Sequence, residues 1–256
     1  MKINIDTEKQ TLEYQTATGN VHIPLYSQKA FRMVSEVWIK QEWNQLHWQS
    51  FSWLGFQIWQ LPEDILRLQE VLARLKPDVI IETGTNSGGS AIFFASMCRL
   101  LGNGRVISID IHLPEEVRQA IERSPFADLI TLIEGDSAAA AVAMQVKTQI
   151  RSGESVFVFL DSDHHKSHVL HELEIYAPLV TIGSYIVAAD GVMQSLSDTP
   201  NGDPDWTTDN PAAAARDFSA AHPELTIRSP TALFGDDKTL NNLTYWPDAW
   251  LLRHTD

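Results

Sequence analysis

Between Val79 and Ser90 the chain passes from a β-branched run, Val79-Ile80-Ile81-Glu82-Thr83, through a turn holding Gly84, Gly88 and Gly89, into the run Ala91-Ile92-Phe93-Phe94-Ala95. Strand, glycine-rich turn and helix in that order make the first βα unit of a nucleotide-binding sheet. Glycine admits positive φ and close backbone approach to a ligand, and the helix N-terminus offers N–H groups with no partner inside the helix. The spacing is not Gly-x-Gly-x-x-Gly, and no lysine follows as a P-loop requires. A carboxylate, Glu82, precedes the first glycine instead, which suits a cationic or hydroxylated ligand better than a diphosphate.

Further strands follow at intervals that fit a parallel sheet. Arg105-Val106-Ile107-Ser108-Ile109 ends in Asp110, where a Rossmann-like sheet places an acid against ribose hydroxyls. Ile130 to Glu134 leads into the turn Gly135-Asp136-Ser137 and an Ala-rich helix over 138–150. Ser155 to Leu160 ends in Asp161-Ser162-Asp163-His164-His165-Lys166-Ser167-His168, the densest titratable cluster of the chain. Carboxyl ends of strands are where open α/β sheets bind ligands. Histidine takes a proton near neutral pH, and aspartate holds a hard cation. Asp161 and His164 are therefore candidate functional residues, whereas His168 and His171 are read as solvated helix residues. A fifth strand over 181–187 reaches Asp190 on the same rim, so a divalent-cation site shared with Asp161 is geometrically open. Residues 194–210 form a long polar loop around Trp206, of the length found in lids. Asn210 and Pro211 then start a helix over 212–221. Leu225-Thr226-Ile227 and Trp250-Leu251-Leu252 read as an antiparallel pair at the sheet edge, Asp236-Asp237-Lys238 as a turn, and Asn241 to Asp248 as strand and then a turn.

Five of the eight tryptophans (Trp38, Trp43, Trp48, Trp53, Trp59) fall between Phe31 and Trp59. That region reads as helix to about Trp43 and irregular chain beyond, behind a weakly alternating hairpin-like lead-in. Residues 1–60 are expected to be an appendage, either a lid or an oligomer contact, and 61–256 the main domain. Leu61-Pro62-Glu63-Asp64 opens a helix, with proline and acids in its first turn. With 33 acidic against 19 basic residues and a net charge of −14, the chain lacks the basic face that nucleic acid or an anionic membrane would need. A single cysteine, Cys98, excludes an intrachain disulfide and fits a reducing, cytoplasmic setting.

From about Ser52 onward the sequence resembles the cephalosporin hydroxylase family, whose better-understood relatives are S-adenosylmethionine-dependent O-methyltransferases acting on sugars and natural products. The resemblance is carried by Leu61-Pro62-Glu63-Asp64, by Ile81-Glu82-Thr83-Gly84 with Gly88-Gly89-Ser90, and by Asp161-Ser162-Asp163-His164. Further blocks are His168-Val169-Leu170 with Glu172-Leu173, Tyr176 to Val180, and Asp209-Asn210-Pro211. It implies an α/β fold of the Rossmann-like class I methyltransferase type, a mostly parallel seven-stranded sheet with helices on both faces, to which the tryptophan-rich segment adds a small N-terminal helical appendage. It also implies S-adenosylmethionine beside Glu82, Gly84, Thr85, Ser90, Asp110, Gly135, Asp136, Ser137 and Asp161. In metal-dependent relatives the positions of Asp161 and Asp190 bind Mg²⁺, and that of His164 is the general base. Such relatives carry an acidic pair where this chain reads Ala189-Asp190. Water or Asp163 filling the gap, metal-free catalysis, and a non-catalytic copy all remain open.

The expected activity is methyl transfer to a hydroxyl of a sugar or glycosylated small molecule, by a self-associating protein. Two rivals stand beside it, a cofactor-binding homologue without catalysis and a metal-dependent hydroxylase; no His-x-Asp…His facial triad supports the second.

Overall fold

The computed structural model describes residues 2–234 and 243–254. Its centre is a seven-stranded sheet built from β6 (Val79–Thr83), β7 (Arg105–Asp110), β8 (Ile130–Glu134), β9 (Val156–Leu160), β10 (Tyr185–Ala188), β11 (Leu225–Ile227) and β12 (Trp250–Arg253). In space the order is β11-β12-β10-β9-β6-β7-β8, and only β12 runs against the others. The chain leaves β6 toward β7 and β8 on one side and returns through β9 to β10 on the other. The carboxyl ends of β6 and β9 therefore flank the switch point, where a crevice opens.

The central strands are continuous apolar runs because both of their faces are covered. Every residue of β6, β9 and β10 is buried. One face packs with α2 (Pro62–Leu75) and α3 (Gly89–Leu101) through Ile80, Phe157 and Phe159. The other packs with α5 (Ala140–Thr148), α6 (Lys166–Tyr176) and α7 (Pro211–Ala221) through Val79, Ile81 and Val158. A short α4 (Glu115–Glu122) lies between β7 and β8.

The N-terminal part contains more than helix. β1 (Ile3–Asp6), β2 (Thr11–Thr16) and β3 (Gly19–Pro24) make a separate antiparallel sheet, closed by a turn in which Gly19 has φ +126°. The weak alternation of Val21, Ile23 and Leu25 is that of a strand covered on one side, by Leu12, Ala30 and Met33. Helix α1 (Gln28–Asn44) follows, N-capped by Ser27, and then the two-residue strands β4 (Ser52–Trp53) and β5 (Phe56–Gln57).

Two sequence expectations shift. The fifth strand begins at Tyr185 rather than 181, because Thr181 to Ser184 closes a turn with Gly183 at φ +84°. The loop 194–210 carries two 3-10 turns, Gly191–Ser195 and Pro204–Thr207, that pin it to the body. The turn expected at Asp236-Asp237-Lys238 and the start of the strand expected from Asn241 lie outside the described residues; Leu243 and Thr244 are not strand.

Candidate active site

A cavity of about 570 Å³ opens at the switch point, above the carboxyl ends of β6, β7, β9 and β10. Its floor is the loop between β6 and α3. Gly84 has φ +89°, and a Cβ there would fall 2.1 Å from the carbonyl oxygen of Asp161. At Gly89 a Cβ would fall 2.1 Å from the carbonyl oxygen of Gln57. Both glycines thus let other stretches of the chain lie against the loop. Asp110 ties the loop to β7: its Oδ2 accepts the Asn86 N–H (2.8 Å) and its Oδ1 the His112 N–H (3.1 Å). Gly84, Thr85, Ser90 and Asp110 all line the cavity.

Glu82 lies beneath the floor and does not line the cavity. It is fully buried, its Oε2 accepts a hydrogen bond from the Ser108 hydroxyl, and that hydroxyl shares a 2.6 Å hydrogen bond with Thr85. Burial pushes the Glu82 carboxyl up to about 7, against the opposing hydrogen bonds of Ser108 and Ser90. Gly135, Asp136 and Ser137 do not line the cavity either. Asp136 accepts the Ala138 N–H to start the next turn, and the Ser137 hydroxyl donates to Glu172 Oε1 (2.6 Å).

The opposite wall carries the titratable groups. Asp161, His164 and Asp190 each present a ligand atom, all within 4.8 Å of one another. His164 Nε2 stands 3.5 Å from Asp190 Oδ2. Asp190 adopts φ +60°, and its Oδ1 is buried without a partner. Burial, followed by the charges of Asp190, Glu82 and Glu172, holds the Asp161 carboxyl well above the usual range; burial also raises Asp190, with His164 opposing. Asp163 points elsewhere, accepting from the His165 N–H (2.8 Å) and ring.

His168 is not the solvated residue its sequence position suggests. Its Nε2 lies 3.5 Å from Glu172 Oε1 and 3.3 Å from the hydroxyls of Ser137 and Ser162. The Ser162 hydroxyl also donates to Glu172 Oε1 (2.7 Å). This network, buried at Ser137 and Glu172 and open to the cavity at Ser162, joins the ends of β8 and β9 to α6. The hydrogen bond to Glu172 raises the His168 pKa.

An aromatic wall closes the far side. Trp43 packs edge-on against Trp206 (6.0 Å between ring centres) and Tyr245 (5.4 Å), and Trp48 against Trp59 (5.1 Å). Trp206 is held there because α1 grips its loop: Lys40 pairs with Asp198, and the Asn201 N–H donates to Asn44 Oδ1 (2.8 Å). Tyr245 is fixed at both ends. Its N–H donates to the buried Asp64 Oδ2 (2.8 Å), and its hydroxyl donates to the buried Glu42. Nothing in the sequence singles out Gln60, Tyr245 or the buried acids Glu42 and Asp64 individually. Each belongs to a recognised stretch, but no local spacing points at its side chain.

Carboxyl-end loops over a parallel sheet, a glycine-rich first turn and an acid at the end of the next strand define the Rossmann-like methyltransferase class of fold. Residues 45–254 match the sequence profile of rhamnosyl O-methyltransferase/CmcI, and the chain belongs to that family. It is 31% identical over 159 residues to the rhamnosyl O-methyltransferase of Mycobacterium bovis (strain BCG / Pasteur 1173P2), a match spanning 61% of this chain and 63% of that protein. The Mycobacterium leprae protein of that name is also 31% identical over 159 residues, spanning 61% and 67%. In fold the chain is similar to an apo-structure of CmcI (TM-score 0.54, 16% identity, 81% of this chain and 78% of that one). It is similar too to an SAH-bound Podospora anserina methyltransferase, PaMTH1 (TM-score 0.52, 15% identity, 88% of each chain).

Proposed function

We propose that this chain is an S-adenosylmethionine-dependent O-methyltransferase acting on a hydroxyl of a sugar or glycosylated small molecule, assisted by a divalent cation. The observation that carries the reading is the meeting in one cavity of the loop from Gly84 to Ser90, the strand-end acid Asp110 and the cluster Asp161, His164 and Asp190. The mycobacterial relatives are named for methylation of a rhamnosyl group, which supports a sugar hydroxyl as acceptor.

The residues fit both groups. The cavity has the volume of a small-molecule site, and Asp110 lies where a ribose would be met. Two part-buried carboxylates, Asp161 with its carboxyl held up by burial and by the charge of Asp190, and Asp190 with an unpartnered oxygen, suit a hard dication. The cluster's one histidine and two carboxylates do not make the 2-His-1-carboxylate triad of an iron hydroxylase. When bound, S-adenosylmethionine supplies a methyl carbon already made electrophilic by its sulfonium. Asp161 and Asp190 would hold the cation, whose charge would favour loss of the acceptor hydroxyl's proton.

The protein's own task is then alignment and proton removal. S-adenosylmethionine would supply the methyl group to the acceptor oxygen, and His164 would take the proton that the hydroxyl gives up. Asp190 orients the imidazole and stabilises the imidazolium. Glu82, below the floor, acts on the cofactor through Ser108 and Thr85. The ring faces of Trp43, Trp48 and Trp206 cover the acceptor and exclude water. The lid role of the N-terminal 60 residues and self-association belong to this proposal as well.

Calorimetric titration of S-adenosylmethionine into metal-stripped protein, repeated with Mg²⁺ and with Asp110→Ala, tests the reading. Binding that weakens at least ten-fold in D110A, together with methyl transfer to a rhamnosylated acceptor, is expected. Absence of binding under every condition would overturn it.

A further inference from the structure

Gln60 is only 4% exposed and lies on the cavity wall just ahead of α2. Its amide Nε2 donates to Asp161 Oδ2 at 2.8 Å, while its Oε1 is buried and has no partner. Three neighbouring positions are otherwise occupied. Ala189 offers a methyl group, Asp163 is bound to His165, and the Ser162 hydroxyl is given to Glu172.

We propose that Gln60 is a ligand of the cation held by Asp161 and Asp190, contributing a neutral amide oxygen from the N-terminal segment. The inference rests on the cation reading above. A half-turn about the last side-chain bond exchanges the amide nitrogen and oxygen without moving the rest of the residue. In an octahedral shell with metal–oxygen bonds of 2.0–2.1 Å, adjacent ligand oxygens stand about 2.9 Å apart. The amide head already stands at 2.8 Å from Asp161 Oδ2, the spacing of two neighbouring ligands. Free of metal, the carboxylate prefers the amide NH₂ as its neighbour. With a dication between them it accepts the oxygen. The segment carrying Gln60 is fixed for the purpose, since the carbonyl of Gln57 is lodged against Gly89.

The test measures Mn²⁺ and Cd²⁺ affinity by calorimetry on the metal-stripped full chain, for the unsubstituted protein, Gln60→Met and Gln60→Glu. Thermal unfolding and S-adenosylmethionine affinity serve as controls for folding. Methionine keeps the length of glutamine and replaces its hard oxygen with a soft sulfur. Q60M is expected to weaken Mn²⁺ at least ten-fold and Cd²⁺ by much less, and Q60E to tighten Mn²⁺. Mn²⁺ affinities of both variants within two-fold of the unsubstituted protein would overturn the proposal. So would a Q60E that weakens Mn²⁺ as Q60M does, because Gln60 would then only steady Asp161 by donating to it. Failure of the unsubstituted protein to bind Mn²⁺ at all would instead remove the cation reading, and this inference with it.

Discussion

Gly84 and Asp161 are in backbone contact across the switch point: a Cβ on Gly84 would meet the Asp161 carbonyl oxygen at 2.1 Å. The Asp161 N–H donates to the Thr83 carbonyl at 3.0 Å, so β6 and β9 stay paired to their last residues. The floor of the cavity and its carboxylate wall are therefore set by one contact, between residues 77 positions apart.

Gly84→Ala is expected to lose both fold stability and cofactor affinity. Positive φ alone costs an alanine about 1 kcal/mol or more, and the clash is with backbone, which has no rotamer to escape into. Urea unfolding should show a loss of about 2–4 kcal/mol. An unchanged midpoint would mean that the two strand ends can part freely.

Glu82 should leave a signature in the pH dependence of stability. Its carboxyl is raised from 4.5 to about 7 in the folded protein, so the native state holds the proton more tightly than the unfolded chain. Stability from this group is then fully present below about pH 4.5, falls as pH rises toward 7, and levels above it. Against Glu82→Gln, whose amide does not titrate, the unsubstituted protein should lose about 2–3 kcal/mol between pH 5 and pH 8. Parallel pH profiles for the two proteins would contradict the assignment.

His164→Ala should lower turnover by about 10²- to 10⁴-fold with any accepted acceptor, the usual worth of a general base. Because His164 lies on the wall opposite the glycine-rich floor, S-adenosylmethionine affinity should stay within two-fold. Turnover equal to that of the unsubstituted protein would take the proton-accepting role away from it.

Asp64→Ala removes the acceptor of both the Thr244 hydroxyl (2.5 Å) and the Tyr245 N–H (2.8 Å). Each unpaired buried donor costs about 1–3 kcal/mol, so denaturation should report a loss of about 2–5 kcal/mol. Asp64→Asn, which keeps one acceptor, should lose about half as much. Equal losses in the two variants would show that packing, not pairing, holds Tyr245.

What the sequence makes legible follows from period and position. The strands β6, β7 and β9 read clearly because burial on both faces leaves unbroken apolar runs, and strand-end residues such as Asp110, Asp161 and Asp190 must then share one rim. Direction of side chains is less visible. Glu82 stands two residues before Gly84, yet pleating turns it under the floor to Ser108. The Gly135-Asp136-Ser137 turn lies on the right edge, but Ser137 is drawn away by Glu172. The aromatic wall is the least legible part. Trp43 meets Trp206 and Tyr245 across more than 160 positions, and Asn44 meets Asn201 across 157. Contacts of that range leave no periodic trace in either partner.

In the seven-stranded sheet, β12 alone runs against the other strands, and this bears on how the molecule is made. β10 carries the chain to Asp190 and lies between β9 and β12, but β12 follows it by about 60 residues. While the protein is being synthesised, β10 is thus the open border of a nascent sheet, with Tyr185, Ile186 and Val187 waiting for Leu252, Leu251 and Trp250. An unpaired apolar border invites pairing with another nascent chain. The interval between translation of β10 and arrival of β12 is therefore the period in which this protein is most exposed to misassembly.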